Sequence, residues 1–197
     1  LGANTLTIGD STNGVFSGSI GGTGGLIKAG TGTETLTGTN TFTGGTTINA
    51  GTLAIGAGGS LAATGAVNLA NAGTGFDISS GGNQAIGTLS GVAGSTISLG
   101  GNTLTTNAAG NSTFAGDISG TGGLVKNGAG VLGLTGSNTF GGGVALNAGG
   151  LSLGSNGALG TGTLTVGGDA TLDGSVPLTL ANNVQLASGT LTLLGGT

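Results

Sequence analysis

Gly24-Gly25-Leu26-Ile27-Lys28-Ala29-Gly30-Thr31-Gly32-Thr33-Glu34-Thr35-Leu36-Thr37-Gly38-Thr39-Asn40-Thr41-Phe42-Thr43-Gly44-Gly45-Thr46-Thr47-Ile48-Asn49-Ala50-Gly51-Thr52-Leu53 is the stretch on which the fold turns. Thr35-Leu36-Thr37 alternates small polar and apolar residues, and the chain continues in the same way through Thr52-Leu53-Ala54-Ile55. Thr96-Ile97-Ser98-Leu99, Leu151-Ser152-Leu153 and Thr190-Leu191-Thr192-Leu193 repeat the pattern. Alternation is the period of a half-buried strand, and no helical stripe competes with it. Asn-Ala-Gly, Gly-Gly-Thr and Gly-Ser-Asn-Gly groups separate these segments, and such residues accept the backbone angles of tight corners. Strands of four to six residues between corners, with no crossover helices, predict a solenoid of stacked coils.

Sliding the sequence along itself reveals a duplication. With an offset of about 98 residues, segment 1–61 aligns with 99–159 without a gap, and about 33 of the 61 positions are identical. Asn4-Thr5-Leu6-Thr7 returns as Asn102-Thr103-Leu104-Thr105, Phe16 and Ile20 as Phe114 and Ile118, and Lys28 as Lys126. Leu26, Leu36, Ile48, Leu53 and Ile55 are the expected inward residues of the first copy, with Leu124, Leu134, Leu146, Leu151 and Leu153 in the second.

Composition bounds what such a solenoid can be. The 197 residues include 51 Gly, one Pro and five Phe, no Tyr, Trp, His, Cys or Met, and 4% charged residues. An apolar fraction of 36% argues against a disordered glycine-rich linker, which would lack material for a core. Coils stacked about 4.8 Å apart draw cohesion from main-chain ladders and a thin aliphatic column, so small residues suffice. At roughly twenty residues per coil the chain makes about nine or ten coils, a rod of roughly 45 Å. Neither end carries an atypical capping segment, which predicts a piece of a longer rod. Six acids against two lysines give a net charge of −4 and no basic patch, so nucleic acid is not an expected partner. No apolar run is long enough to cross a membrane as a helix.

The run from Gly24 to Leu53, and its second occurrence from Gly122 to Leu151, resemble the autotransporter-associated β-strand repeat, also called the passenger-associated transport repeat. The shared elements are Lys28 and Lys126, Asn40-Thr41-Phe42 and Asn138-Thr139-Phe140, and Asn49-Ala50-Gly51 and Asn147-Ala148-Gly149. Two departures stand out. Glu34 occupies a position where the family and the second copy (Leu132) have an aliphatic residue, and Phe42 and Phe140 stand where Tyr is common. A carboxylate facing the core is costly, so Glu34 either turns outward or weakens its coil. The resemblance implies an all-β fold, a right-handed single-stranded parallel β-helix running as one continuous segment over 1–197. It further implies a passenger carried across the outer membrane of a bacterium by a C-terminal β-barrel of the same parent chain. The product would be displayed at the cell surface or released, facing a host-cell or bacterial surface ligand.

Residue chemistry leaves little room for a reaction, and no catalytic, cofactor or metal site is expected. Without His or Cys there is no nucleophilic triad and no zinc site. Asp169 and Asp173 would share one strand face roughly 13 Å apart, beyond the span of glycosidase carboxylates. Asp10, Asp77 and Asp117 are isolated and suit turns. Gly128-Ala129-Gly130-Val131-Leu132-Gly133 matches a dinucleotide-binding glycine pattern but lacks a following helix, so no nucleotide is expected. Gly44-Gly45, Gly81-Gly82 and Gly142-Gly143 lack the spaced Asp of calcium-binding repeats. Asn111-Ser112-Thr113 is a glycosylation sequon. Lys28 and Lys126 are expected at coil corners with their cations in water, and Asn40, Asn49, Asn138 and Asn147 are expected to stack into amide ladders.

Three functional classes follow. A non-catalytic stalk or adhesin segment that supports export and surface display leads. A Thr-rich binding face for a polysaccharide or ice is the alternative and requires Thr-x-Thr rows aligned between coils. A polysaccharide-cleaving β-helix would need clustered acids, cations and aromatic sugar platforms, which this sequence lacks.

Overall fold

A computed structural model describes residues 1–195; Gly196 and Thr197, the last two residues of the expected segment, lie outside the described residues. The described chain is all strand, bend and turn, and every paired strand runs parallel to its neighbours. Three sheets wrap one interior. A ten-stranded long sheet orders Leu6–Ile8, Leu26–Lys28, Thr46–Ile48, Val67–Leu69, Leu89–Gly91, Ser112–Phe114, Val131–Leu134, Gly149–Leu153, Ala170–Gly174 and Leu191–Leu194. An N-terminal sheet stacks Gly14–Phe16, Thr33–Leu36, Thr52–Ile55, Gly75–Asp77, Thr96–Ser98 and Asp117–Ser119. A C-terminal sheet stacks Gln84–Ile86, Leu104–Thr106, Leu124–Lys126, Val144–Leu146, Leu164–Val166 and Val184–Leu186. The result is a parallel β-solenoid of about nine turns.

One turn takes between 19 residues, from Leu132 to its partner Leu151, and 23, from Gly91 to Phe114. Most strands have three residues, shorter than the alternation suggested, because glycine-rich corners take the rest of each turn. In Leu26–Lys28, Thr46–Ile48 and Val144–Leu146 the first and third side chains point inward, whereas in Gly75–Asp77, Thr96–Ser98 and Asp117–Ser119 the middle one does. Leu26, Leu36, Ile48, Leu53, Ile55, Leu124, Leu134, Leu146, Leu151 and Leu153, the expected inward set, are all buried. Phe42, Phe76, Phe114 and Phe140 join them.

Corner packing explains part of the glycine content. A Cβ on Gly122 would lie 1.8 Å from the Asn102 carbonyl oxygen one turn earlier, so only a bare backbone fits there. Gly149, which closes Asn147-Ala148-Gly149, has φ +72°, a left-handed conformation that side chains resist.

The two copies of the duplicated segment do not sit on the same faces. Leu26–Lys28 lies in the long sheet, whereas Leu124–Lys126 lies in the C-terminal sheet. Thr33–Leu36 lies in the N-terminal sheet, whereas Val131–Leu134 lies in the long sheet. Following the register from Leu26 through Thr46, Val67 and Leu89 to the Ser112–Phe114 strand uses four turns, and two further faces lead to Leu124. The second copy is therefore turned by one face relative to the first.

Nearest-neighbour stacking makes damage local. Leu134→Asp places a carboxylate in the interior and is expected to destabilise its turn and the two beside it by several kcal/mol. Hydrogen exchange should accelerate at Ser112–Phe114, Val131–Leu134 and Gly149–Leu153 before it does at Leu26–Lys28. A thermal melt identical to that of the parent chain contradicts the inward placement of Leu134.

Candidate functional site

In each copy one side of the turn has no strand, and an asparagine holds it together. After Thr33–Leu36 the chain crosses that side as Asn40-Thr41-Phe42, and after Val131–Leu134 as Asn138-Thr139-Phe140. The Asn40 side-chain oxygen accepts from the Ile20 amide at 3.0 Å in the preceding turn, and its Nδ2 donates to Ser60 O at 3.0 Å in the next turn and to Gly38 O at 2.8 Å. Asn138 does the same between Ile118 N at 2.8 Å and Ala158 O at 2.6 Å. A carboxamide has the donor and acceptor of a peptide unit, so it replaces a missing rung of the ladder. Phe42 and Phe140 fill the interior beneath. Gln84, which sequence reading passed over, does the corresponding work where the first strandless side meets the C-terminal sheet. It accepts from Leu61 N at 3.2 Å and donates to Gly59 O at 3.1 Å.

The expected amide ladders are thus corrected. Asn40 and Asn138 bond to main chain, not to other asparagines. A ladder does form at Asn147, whose Nδ2 donates to Asn127 Oδ1 at 2.8 Å, and Asn127 in turn to Asn107 Oδ1 at 3.3 Å. Asn49 has no such neighbours because Ala29 and Gly9 occupy the corresponding places; it joins the stack through its main chain, its amide donating to Lys28 O at 2.8 Å and its carbonyl accepting from Asn71 Nδ2 at 2.9 Å.

The lysines require a larger correction. Neither holds its cation in water: Lys28 is 0% and Lys126 1% exposed. Lys28 Nζ donates to Ala29 O at 2.7 Å, Gly30 O at 2.8 Å and, across to the next turn, Ala50 O at 3.1 Å. Lys126 donates to Gly128 O and to Ala148 O at 3.4 Å. Each ammonium therefore ties its own corner to the Asn-Ala-Gly corner above it. The signal was in the alternation: Lys28 stands two residues from inward Leu26, and Lys126 two from Leu124. Burial pushes both ammonium pKa values below the ordinary 10.5, and at Lys28 the Glu34 and Asp10 carboxylates offset part of that.

Glu34 follows the same parity, facing inward with Leu36. It is half-buried and lies over Gly14 of the previous turn, where an added Cβ would come within 2.5 Å of its Oε2. It lines a hollow of about 450 Å³ with Leu6, Ile8, Phe16 and Ile20. The outward alternative for Glu34 is thereby set aside. The aspartates cap backbone: Asp10 accepts from Thr12 N and Oγ1, Asp77 from Ser79 N, Asp117 from Ser137 N and Asp169 from Thr190 N. Thr12, through its hydroxyl first and its amide second, holds the Asp10 carboxyl below its usual pKa. Asp173 stands in the Ala170–Gly174 strand, and no cluster of three acids occurs among the described residues. Asn111, of the sequon, accepts from Val131 N at 2.8 Å. Gly128–Gly133 runs from a corner into the Val131–Leu134 strand.

Outward rows mix residue types from turn to turn. Along the long sheet Thr7, Ile27, Thr47, Asn68 and Ser90 stand in register. The aligned Thr-x-Thr rows that an ice-type face requires are not formed there. With both lysines inside, the charged side chains reaching solvent among the described residues are acids.

Residues 26–55 and 124–153 match the passenger-associated-transport-repeat. Over 153 residues, 74% of the chain, the sequence is 39% identical to a protein described as the adhesin BmaC autotransporter of Brucella suis biovar 1 (strain 1330). The chain spans only 4% of that relative's length. No solved structure matches the chain. The chain carries two passenger-associated-transport repeats and is similar to part of an autotransporter adhesin.

Two outcomes follow from the buried polar groups. Asn138→Ala leaves the Ile118 amide and the Ala158 carbonyl without their partner and should cost about 1–3 kcal/mol for each group left dry; a urea midpoint within error of the parent contradicts the stapling role. The lysines are the side chains that titrate in the alkaline range, since His, Cys and Tyr are absent. Between the lowered folded values and 10.5 the unfolded chain binds more protons, so stability rises with pH through that window and is lost again as pH falls through the folded values. Urea midpoints taken from about pH 8 to pH 11 measure this, and a flat profile contradicts it.

Proposed function

We propose that this segment is a non-catalytic stalk of an autotransporter passenger, exported through a C-terminal outer-membrane β-barrel of its parent chain and displayed at the bacterial surface or released. The observation that carries the reading is that both matched repeats lie within one uninterrupted stack of parallel turns. Each repeat supplies a whole turn with its own fastenings: the asparagine staple, the buried lysine and the Asn-Ala-Gly corner. A turn that brings its own fastenings can lock onto the previous one as the chain emerges, with no need for distant contacts. That is a physical basis for the repeat's support of export.

An adhesive role for the parent protein is supported by the likeness to an adhesin. The exterior narrows the ligand. Polyanions are held by Lys or Arg at the surface, and here both lysines point inward. The ligands of this segment are therefore neutral or cationic surfaces, if it contacts a ligand itself and does not only raise an adhesive tip above the cell.

The test is made in the parent protein. Removing residues 24–151 should lower the amount of passenger labelled by antibody on intact cells while total synthesis stays the same. Unchanged display would overturn the export role, and a parent chain without a barrel would overturn the route. The isolated segment should show no retention on heparin at physiological salt; salt-sensitive retention would contradict the charge reading.

A further inference from the structure

Lys126 and Lys28 meet the same electrostatic problem with different surroundings. Around Lys28, Ile8 stands directly below in register, three carbonyls accept from the ammonium, and Asp10 and Glu34 favour its charge. In the second repeat all three neighbours differ: Thr106 replaces Ile8, Ala108 replaces Asp10 and Leu132 replaces Glu34. Lys126 has no carboxylate favouring its charge, and its ammonium reaches two carbonyls, Gly128 O and Ala148 O. A third N–H is left to find a partner.

Thr106 is the ladder neighbour of Lys126 one turn earlier. It pairs in register with Lys126 on adjacent turns of the C-terminal sheet, and both side chains face the interior, each 1% exposed. The Thr106 hydroxyl is a buried side-chain oxygen with no hydrogen-bond partner among the described residues. A buried hydroxyl left without a partner loses the hydrogen bonds it made to water and gains none in return. The two polar groups thus stand in one interior column, one with a donor to spare and one wanting any partner. In the first repeat the corresponding place is closed by the aliphatic side chain of Ile8.

We propose that one water molecule is bound between the Thr106 hydroxyl and the Lys126 ammonium, forming an internal hydration site peculiar to the second repeat. The water accepts from Nζ–H and exchanges a hydrogen bond with Thr106 Oγ1, which brings it to the two or more polar partners an internal water needs. A small anion fits less well, because the Gly128 and Ala148 carbonyl oxygens on the same ammonium would oppose it. The water restores hydration to a cation that has no counter-charge beside it.

The experiment is water-to-protein cross-relaxation by NMR on the folded chain. A long-lived contact is expected at the Thr106 methyl and the Lys126 Cε protons and none at Ile8 or Lys28. Thr106→Ile, which installs the first repeat's residue, should abolish the contact and weaken proton binding at Lys126 about tenfold, read from its own NMR titration, while Lys28 titrates as before. Thr106→Ser, which keeps the hydroxyl, should retain the contact and the titration, and it decides the matter if Thr106→Ile does not fold. Absence of a long-lived contact in the folded chain overturns the proposal. So does loss of the contact with no change at Lys126, and so does a bromide-dependent shift confined to Lys126, which would assign the site to an anion.

Discussion

Apart from a few bonds closed within a corner, the main-chain amides and carbonyls of the described residues find their partners in the turn above or below, because no helix among those residues is there to supply them. Where three-residue strands stack in parallel, the requirement is met automatically. Where the chain leaves the strand conformation, a side chain has to reproduce what the ladder provided. Asn40, Asn138 and Gln84 do so with carboxamides, the side-chain group most like a peptide bond. The buried lysines do it with an ammonium aimed at corner carbonyls. Polar groups in the interior thus serve the backbone.

That dependence explains how the two copies can be turned by one face without loss of either. A repeat that brings its own staple and its own corner tie needs only a turn beneath it, whichever sheet that turn belongs to. The strandless side consequently moves from the flank of the C-terminal sheet in the first copy to that of the N-terminal sheet in the second. The long sheet alone continues through all the turns. Any feature that must stay aligned along the rod can do so only on that face.

Much of this was legible from residue order. Alternation located the strands and the inward leucines because each turn is only one strand thick and parity cannot drift far within three residues. Parity also pointed at Lys28 and Glu34, two positions from Leu26 and Leu36, but the general rule that charged residues face water outweighed it. The rule fails here because corner carbonyls, invisible in the sequence, offer the ammonium a substitute for water, and Gly14 offers room to a carboxylate. The asparagine ladder was half legible. Asn147 showed the motif, but whether it has neighbours depends on residues 20 and 40 positions earlier, and that needs the turn length to within one residue. The face shift was hidden for the same reason, since turns of 19 to 23 residues do not reveal how many of them separate the copies.

Placing both lysines indoors also bears on how the rod meets proteases of the trypsin type. Enzymes of the trypsin type cut after lysine or arginine, and the chain has two such residues in all, Lys28 and Lys126. Both peptide bonds follow side chains sealed between turns. Cleavage therefore waits for a turn to open, and its rate reports the opening of those two turns. The rod gains from this a resistance that requires neither disulfides nor a thick core: the residues by which the protease would recognise it are the ones that hold it shut.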